Sequence, residues 1–217
     1  MNITQVHMNA QRLKFIDISA AQIIRKFALA MVIIVGAAFA AISDSIWDSH
    51  SIGRELIEFI GLLMIVACIV ARIFCSLYIG GRKISSLVIT GPYSVCRNPL
   101  YAASIIGAVG IGAQQGSIAL GAITGGVVAI IFYLLVLREE RLLARLHGVQ
   151  FELYRQRVPR FIPDFSLWRD VKKIEIEPRY ALTTALDGCV ILLWLPVAEA
   201  LEHMHDAGFF PALLRLP

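Results

Sequence analysis

Residues 98–137 read NPLYAASIIGAVGIGAQQGSIALGAITGGVVAIIFYLLVL, a run of 40 positions without one charged side chain. A helix needs about 20 apolar residues to cross a bilayer, so the run is long enough for two crossings. Its most polar point, Gln114-Gln115-Gly116, lies near the middle and predicts a helical hairpin that turns there. Turn-forming and polar residues precede it, Gly91-Pro92-Tyr93 and Arg97-Asn98-Pro99-Leu100-Tyr101. Glu139-Glu140, Gly148, Tyr154 and Val158-Pro159-Arg160-Phe161-Ile162-Pro163 follow it. Residues 90–163 therefore read as one unit, an uncharged hairpin with polar ends, and point to chemistry at a membrane surface.

The rest of the chain fits an apolar solvent. Of 217 residues, 58% are hydrophobic and mean hydropathy is +0.71, against about 45–50% apolar residues in a soluble domain. Three further apolar stretches are 27–43, 59–81 interrupted only by Arg72, and 180–198 interrupted only by Asp187. With the hairpin they predict an all-α polytopic protein of five transmembrane helices, one integral membrane domain over 1–217. The first span lies too deep in the chain, and lacks a small-residue cleavage site, for a signal peptide. Cys68, Cys75, Cys96 and Cys189 form no C-x-x-C pattern, so they read as packing residues without a disulfide framework.

Lys and Arg placement orients the spans. Arg12, Lys14, Arg25 and Lys26 precede the first span, and only Arg54 follows it. Arg72, Arg82, Lys83 and Arg97 come before the hairpin, none lies in its turn, ten lie in 138–179, and Arg215 alone is in the tail. The alternation places the N-terminus in the cytoplasm and the C-terminus outside, as in a bacterial inner membrane. The net charge of +4 then faces anionic lipid rather than nucleic acid. Residues 1–25 read as a cytoplasmic segment able to form a surface helix, with Ile16, Ile18, Ile23 and Ile24 on its apolar side. Helix is expected to continue from the fourth span through 137–154 and to end before Pro159 and Pro163.

Each polar motif has a plain reading and a functional one. Pro99 suits the first turn of the third span, with Asn98 as its N-cap. That start brings free N–H groups, Arg97 and Tyr101 to the interface, where a carboxylate would be welcome; the plain reading is a capped helix with interface anchors. Glu139 and Glu140 point about 100° apart on a helix, so one faces a site and the other pairs with an Arg such as Arg141. Arg157 and Arg160 flank Val158-Pro159 and offer planar forks for a carboxylate or phosphate, or merely positive charge for lipid headgroups. Arg72 inside a span is a functional hypothesis by default, unless it snorkels to the interface. Asp187 has no evident partner, and His203-Met204-His205 is too sparse for a metal site. Gly121, Gly125 and Gly126 give small-xxx-small spacing for close helix packing.

The ordered set of motifs resembles the isoprenylcysteine carboxyl methyltransferase family, within the broader set that includes phospholipid methyltransferases. That pattern reads G-P-Y, R-H-P-x-Y, a helical hairpin, E-E-x-x-L, F-G-x-x-Y-x-x-Y and V-P-R-x-I-P. It matches Gly91-Pro92-Tyr93, Arg97 to Tyr101, Glu139 to Leu143, His147 to Tyr154 and Val158 to Pro163. Asn98 stands where the pattern has His, His147 where it has Phe, and Phe151 where it has the first Tyr. Asn donates and accepts hydrogen bonds but does not titrate, so a binding role at 98 survives and a proton-transfer role does not.

The resemblance implies S-adenosylmethionine as methyl donor, bound from the cytosol, and a lipophilic acceptor arriving sideways from the bilayer. It makes Asn98, Pro99, Leu100, Tyr101, Glu139, Glu140 and Tyr154 cofactor-site residues, Arg157 and Arg160 substrate-binding residues, and Arg157 and Glu140 the catalytic pair, without a metal. It implies carboxyl O-methylation of the isoprenylcysteine type first. N-methylation of a phospholipid or other lipid amine is an alternative, and a non-catalytic protein retaining the scaffold is a second.

Overall fold

The computed structural model describes residues 43–45, 51–79, 87–174, 176, 178–206 and 214–216. All of them belong to the compact unit Ala40–Pro217. The expected surface helix over 1–25 and first span over 27–43 lie essentially outside the described residues, as does the connection 80–86.

The fold is all-α apart from a three-residue parallel pair, β1 (Ser43–Ser45) with β2 (Leu214–Leu216). Its helices are α1 (Ile52–Ile79), the short α2 (Pro92–Val95), α3 (Pro99–Ala113), α4 (Ile118–His147), α5 (Val149–Arg157), α6 (Pro178–Leu192) and α7 (Trp194–Asp206). Among the described residues, three runs are long and apolar enough to cross a membrane: Ile52–Ile79, Ile118–His147 and Ala181–Ala200. The count of five is not reproduced among the described residues. The hairpin forms where the sequence places its turn, but its first limb, α3, has 15 residues, or about 22 Å at 1.5 Å per residue. The last span is broken at Leu193 between α6 and α7. Pro196, in the first turn of α7, lacks the N–H that would bond back to Leu192 and continue α6.

Small residues line the helix seams, and many large apolar side chains are exposed. Exposed Phe59, Leu63, Val66 and Val70 form a helical stripe along α1, suited to lipid tails. On the other side, α1 and α3 run antiparallel in close contact. A Cβ on Gly110 would come within 2.5 Å of the Gly61 carbonyl, and one on Gly107 within 2.6 Å of the Cys68 sulfur. Gly112 is equally tight against Gly121 of α4, so α3 lies between α1 and α4. Gly121 and Gly125 serve this packing, whereas Gly126 of the same motif has nothing within 4 Å. Gly188 seats α6 on Ile69 of α1, and the Trp194 indole donates to the Ile111 carbonyl at 3.1 Å.

The helix expected to run on through 154 stops at His147. Gly148 takes φ 50° and ψ −124°, a conformation that essentially only glycine adopts. The bend starts α5 in a new direction and returns the chain toward the start of α3.

Candidate functional site

The site is built from two segments stitched together. The peptide 91–97 enters α3, and the peptide 159–170 lies across it. Arg97 N–H donates to the Pro159 carbonyl at 2.9 Å, Asp164 N–H to that of Val95 at 2.9 Å, and Gly91 N–H to that of Arg169 at 2.7 Å. Arg169 N–H reaches the Ser94 hydroxyl at 2.9 Å. The Tyr154 hydroxyl donates to the Tyr93 carbonyl at 2.7 Å, and the Tyr78 hydroxyl to Asp170 at 3.0 Å. Gly91 adopts φ 59° against the Tyr78 ring, where any Cβ would collide. Val158 to Pro163 thus belongs to a strap that fastens the polar ends of the hairpin.

Glu139 and Glu140 divide as helix geometry requires. Glu140 is 7% exposed and accepts a fork from Arg160, Nε at 3.2 Å and Nη2 at 2.9 Å. Arg97 Nη2 approaches it at 3.5 Å, as does the Asn98 amide. These partners replace the expected Arg141, whose Nε donates to the Leu137 carbonyl. Asn98 occupies the N-cap of α3 but makes no side-chain cap bond; its amide donates instead to the Arg160 carbonyl at 3.2 Å. Charge-assisted bonding to Glu140 raises the Arg160 pKa. Burial lowers that of Arg97 against the opposing pull of Glu140.

Glu139 turns the other way and accepts from the Tyr101 hydroxyl at 2.7 Å. Both line a narrow pocket of about 60 Å³ with Ile79, Leu87, Val88, Tyr93, Arg97, Asn98, Pro99, Leu100, Leu143 and Tyr154. Its walls are mostly apolar, yet they carry buried donors with no partner: Arg97 Nε and Nη1, and the Tyr93 hydroxyl. Burial holds the Tyr93 pKa well above its ordinary value, so its hydroxyl stays a donor. A guanidinium keeps its charge in proteins. Orphaned buried donors beside a carboxylate and a tyrosine fit a ligand that is itself zwitterionic.

Asn98, Pro99, Leu100, Tyr101, Glu139 and Tyr154 are therefore brought to one cavity, while Glu140 stands behind its wall. Arg160 is held by Glu140 and lies 5.5 Å over the Tyr133 ring. Arg157, the last residue of α5, lines a second and wider pocket of about 680 Å³ with Thr90, Ser94, Gln150, Arg169 and Asp170. The two pockets share Leu87 and Tyr154. The sequence reading did not nominate Tyr93, although Gly91-Pro92-Tyr93 was in view, nor Leu143, one turn beyond Glu139 on the same face. Ile79, Leu87 and Val88 carry no readable signal.

Comparison with known proteins agrees with this architecture. Residues 50–150 match the family model described as phospholipid methyltransferase. The nickel-cobalt-cadmium resistance protein NccN of Alcaligenes xylosoxydans xylosoxydans is 35% identical over 171 residues, 79% of each chain. The cobalt-zinc-cadmium resistance protein CzcN of Cupriavidus metallidurans is 33% identical over 170 residues, 78% of each chain. No solved structure matches. The chain belongs to the phospholipid methyltransferase family of membrane methyltransferases, which includes the isoprenylcysteine carboxyl methyltransferases.

Proposed function

We propose that the protein transfers a methyl group from S-adenosylmethionine to a lipophilic acceptor, by carboxyl O-methylation of the isoprenylcysteine type. The observation that carries this reading is the buried, unpartnered guanidinium face of Arg97, opposite the Tyr101–Glu139 pair in one pocket. Arg97 and the Tyr93 hydroxyl would hold the cofactor's carboxylate. Glu139, with Tyr101, would accept from its ammonium or ribose hydroxyls. Leu87, Val88, Leu100 and Leu143 offer an apolar wall to its base. When bound, S-adenosylmethionine supplies an electrophilic methyl group.

What the chain itself contributes is positioning, which can account for about 7–11 kcal/mol of a barrier when reacting atoms are well aligned. Glu140 fixes Arg97 and Arg160, and so acts as a positioning residue rather than a base, since its oxygens are committed to guanidinium groups. A carboxylate acceptor needs no base, which suits a site where Asn98 cannot titrate. Arg157 would meet polar groups of the acceptor that remain on the aqueous side. The polar ends of the hairpin face the cytoplasm in this reading, with the N-terminus inside and the C-terminus outside.

N-methylation of a lipid amine is the second reading, favoured by Glu139 itself, a carboxylate in the pocket able to take the departing proton. Labelled cofactor offered with a prenylcysteine analogue and with membrane lipids separates the two: a base-labile methyl ester supports O-methylation, a base-stable N-methyl lipid replaces it. Absence of S-adenosylhomocysteine binding by calorimetry in detergent would sink both. The names of NccN and CzcN tie those proteins to metal resistance. We carry this to the chain as a setting in which the methylated lipophile contributes to metal tolerance. Restoration of a deletion strain's growth in cobalt or cadmium by wild type, and not by Arg97→Ala, tests it.

A further inference from the structure

Arg72 is a cation inside the apolar helix α1, seven positions before its end at Ile79, or about 10 Å deep at 1.5 Å per residue. A snorkelling side chain would run along the helix toward the interface. Arg72 instead reaches sideways, its Nη1 donating to the Ser104 hydroxyl of α3. Ser104 donates its own proton to the Leu100 carbonyl at 2.8 Å, so it can accept from the guanidinium but brings no negative charge. Arg72 Nε is buried with no hydrogen-bond partner, and among the described residues no carboxylate forms an ion pair with it. A charge at this depth ordinarily pairs or faces a ligand path.

The surroundings narrow the ligand. Below Arg72 the seam is sealed by Cys68 against Gly107. Above it, Leu100 belongs both to the hydrogen-bond chain Arg72–Ser104–Leu100 and to the wall of the pocket. The guanidinium therefore lies about one helical turn, 5.4 Å, on the membrane side of the pocket. Arg72 as a whole is not fully buried.

We propose that Arg72, presented by Ser104, is a membrane-side anion site that receives the anionic end of the lipophilic acceptor before it reaches the methyl-transfer pocket. This rests on the reading of that pocket given above and adds a place outside it where the acceptor's carboxylate is first held. A bilayer phosphate is the other source of a lipid-borne oxyanion.

The test measures binding of oleate and methyl oleate to the detergent-purified full chain, with dioleoyl phosphatidate as a third arm. Wild type should prefer oleate to its ester by about tenfold or more, the value of a charge-assisted bond. Arg72→Gln should bring the two within about twofold, and Arg72→Lys should keep part of the preference. Equal binding of acid and ester by wild type, or an unchanged preference in Arg72→Gln, overturns the proposal. Tighter binding of phosphatidate, lost in Arg72→Gln, overturns the acceptor assignment in favour of bilayer phosphate. A fatty acid with a diazirine next to its carboxylate, irradiated with wild type, should label the peptides around 72 and 104; labelling confined elsewhere overturns the site without any variant. Calorimetry with S-adenosylhomocysteine separates the two levels, because Arg72→Gln should bind it as wild type does. Failure of wild type to bind it would count against the pocket's function while leaving the acid preference to be read.

Discussion

Glu139 and Glu140 are adjacent in the chain and belong to different systems. Glu139 accepts the Tyr101 hydroxyl at 2.7 Å on the pocket wall, and Glu140 accepts the Arg160 fork at 2.9 and 3.2 Å behind it. Their variants should fail in different ways. Glu139→Gln should weaken S-adenosylhomocysteine binding by about tenfold, the scale of one charge-assisted bond, with little change in thermal midpoint. Glu140→Gln should lower the midpoint sharply, because removing one partner of a buried ion pair costs about 3–5 kcal/mol. Calorimetry and thermal unfolding in the same detergent would check both, and the reverse pattern would exchange the two roles.

Arg97 offers a second contrast with Arg160. Arg97→Ala removes the pocket's buried, unpartnered guanidinium donors and should lower cofactor affinity by about 10- to 100-fold. Arg160→Ala leaves the pocket lining intact and should act mainly on stability. Titration of both variants with S-adenosylhomocysteine reads the difference.

The two positive-φ glycines of the joint should rank in a set order. Gly148→Ala meets nothing within 4 Å, so its penalty is backbone strain alone, about 1–3 kcal/mol. Gly91→Ala adds a collision with the Tyr78 ring and should be the more damaging. Thermal unfolding that ranked Gly148→Ala as worse would contradict the strap geometry.

Burial pushes the Cys96 thiol up to about 11 from 9.0. A raised folded-state pKa stabilises the neutral thiol. This contribution is complete below pH 9 and is lost as pH rises through about 11. Wild type should therefore lose stability across that window, and Cys96→Ala should lose less of it. At neutral pH the Cys96 peptide should resist maleimide, since the thiolate is the reactive form.

The hairpin was legible because its signals are local. An uncharged run, a polar Gln114-Gln115-Gly116 turn and Pro99 at a helix start need no distant partner to be read. The break at Gly148 was less legible, since a glycine in a helical pattern is tolerated as often as it bends the chain. The interrupted last span had its signal in Pro196, which the apolar run masked. At the site, Tyr101 and Tyr154 could be nominated through the family resemblance. The separate fates of Arg157 and Arg160 could not, because three residues of chain carry one to a second pocket and the other to Glu140.

By itself the sequence determined that this is a helical membrane protein whose polar chemistry gathers at the ends of one hairpin. Those properties follow from hydropathy and charge, which add up along the chain. Only the tertiary structure decided which carboxylate faces the pocket, that Asn98 bonds across to the strap rather than capping its helix, and that Arg72 reaches Ser104 instead of the interface. Each depends on where a helix face points once small residues have let α1, α3 and α4 close on one another, and that rotation is a property of the packed bundle rather than of any one segment.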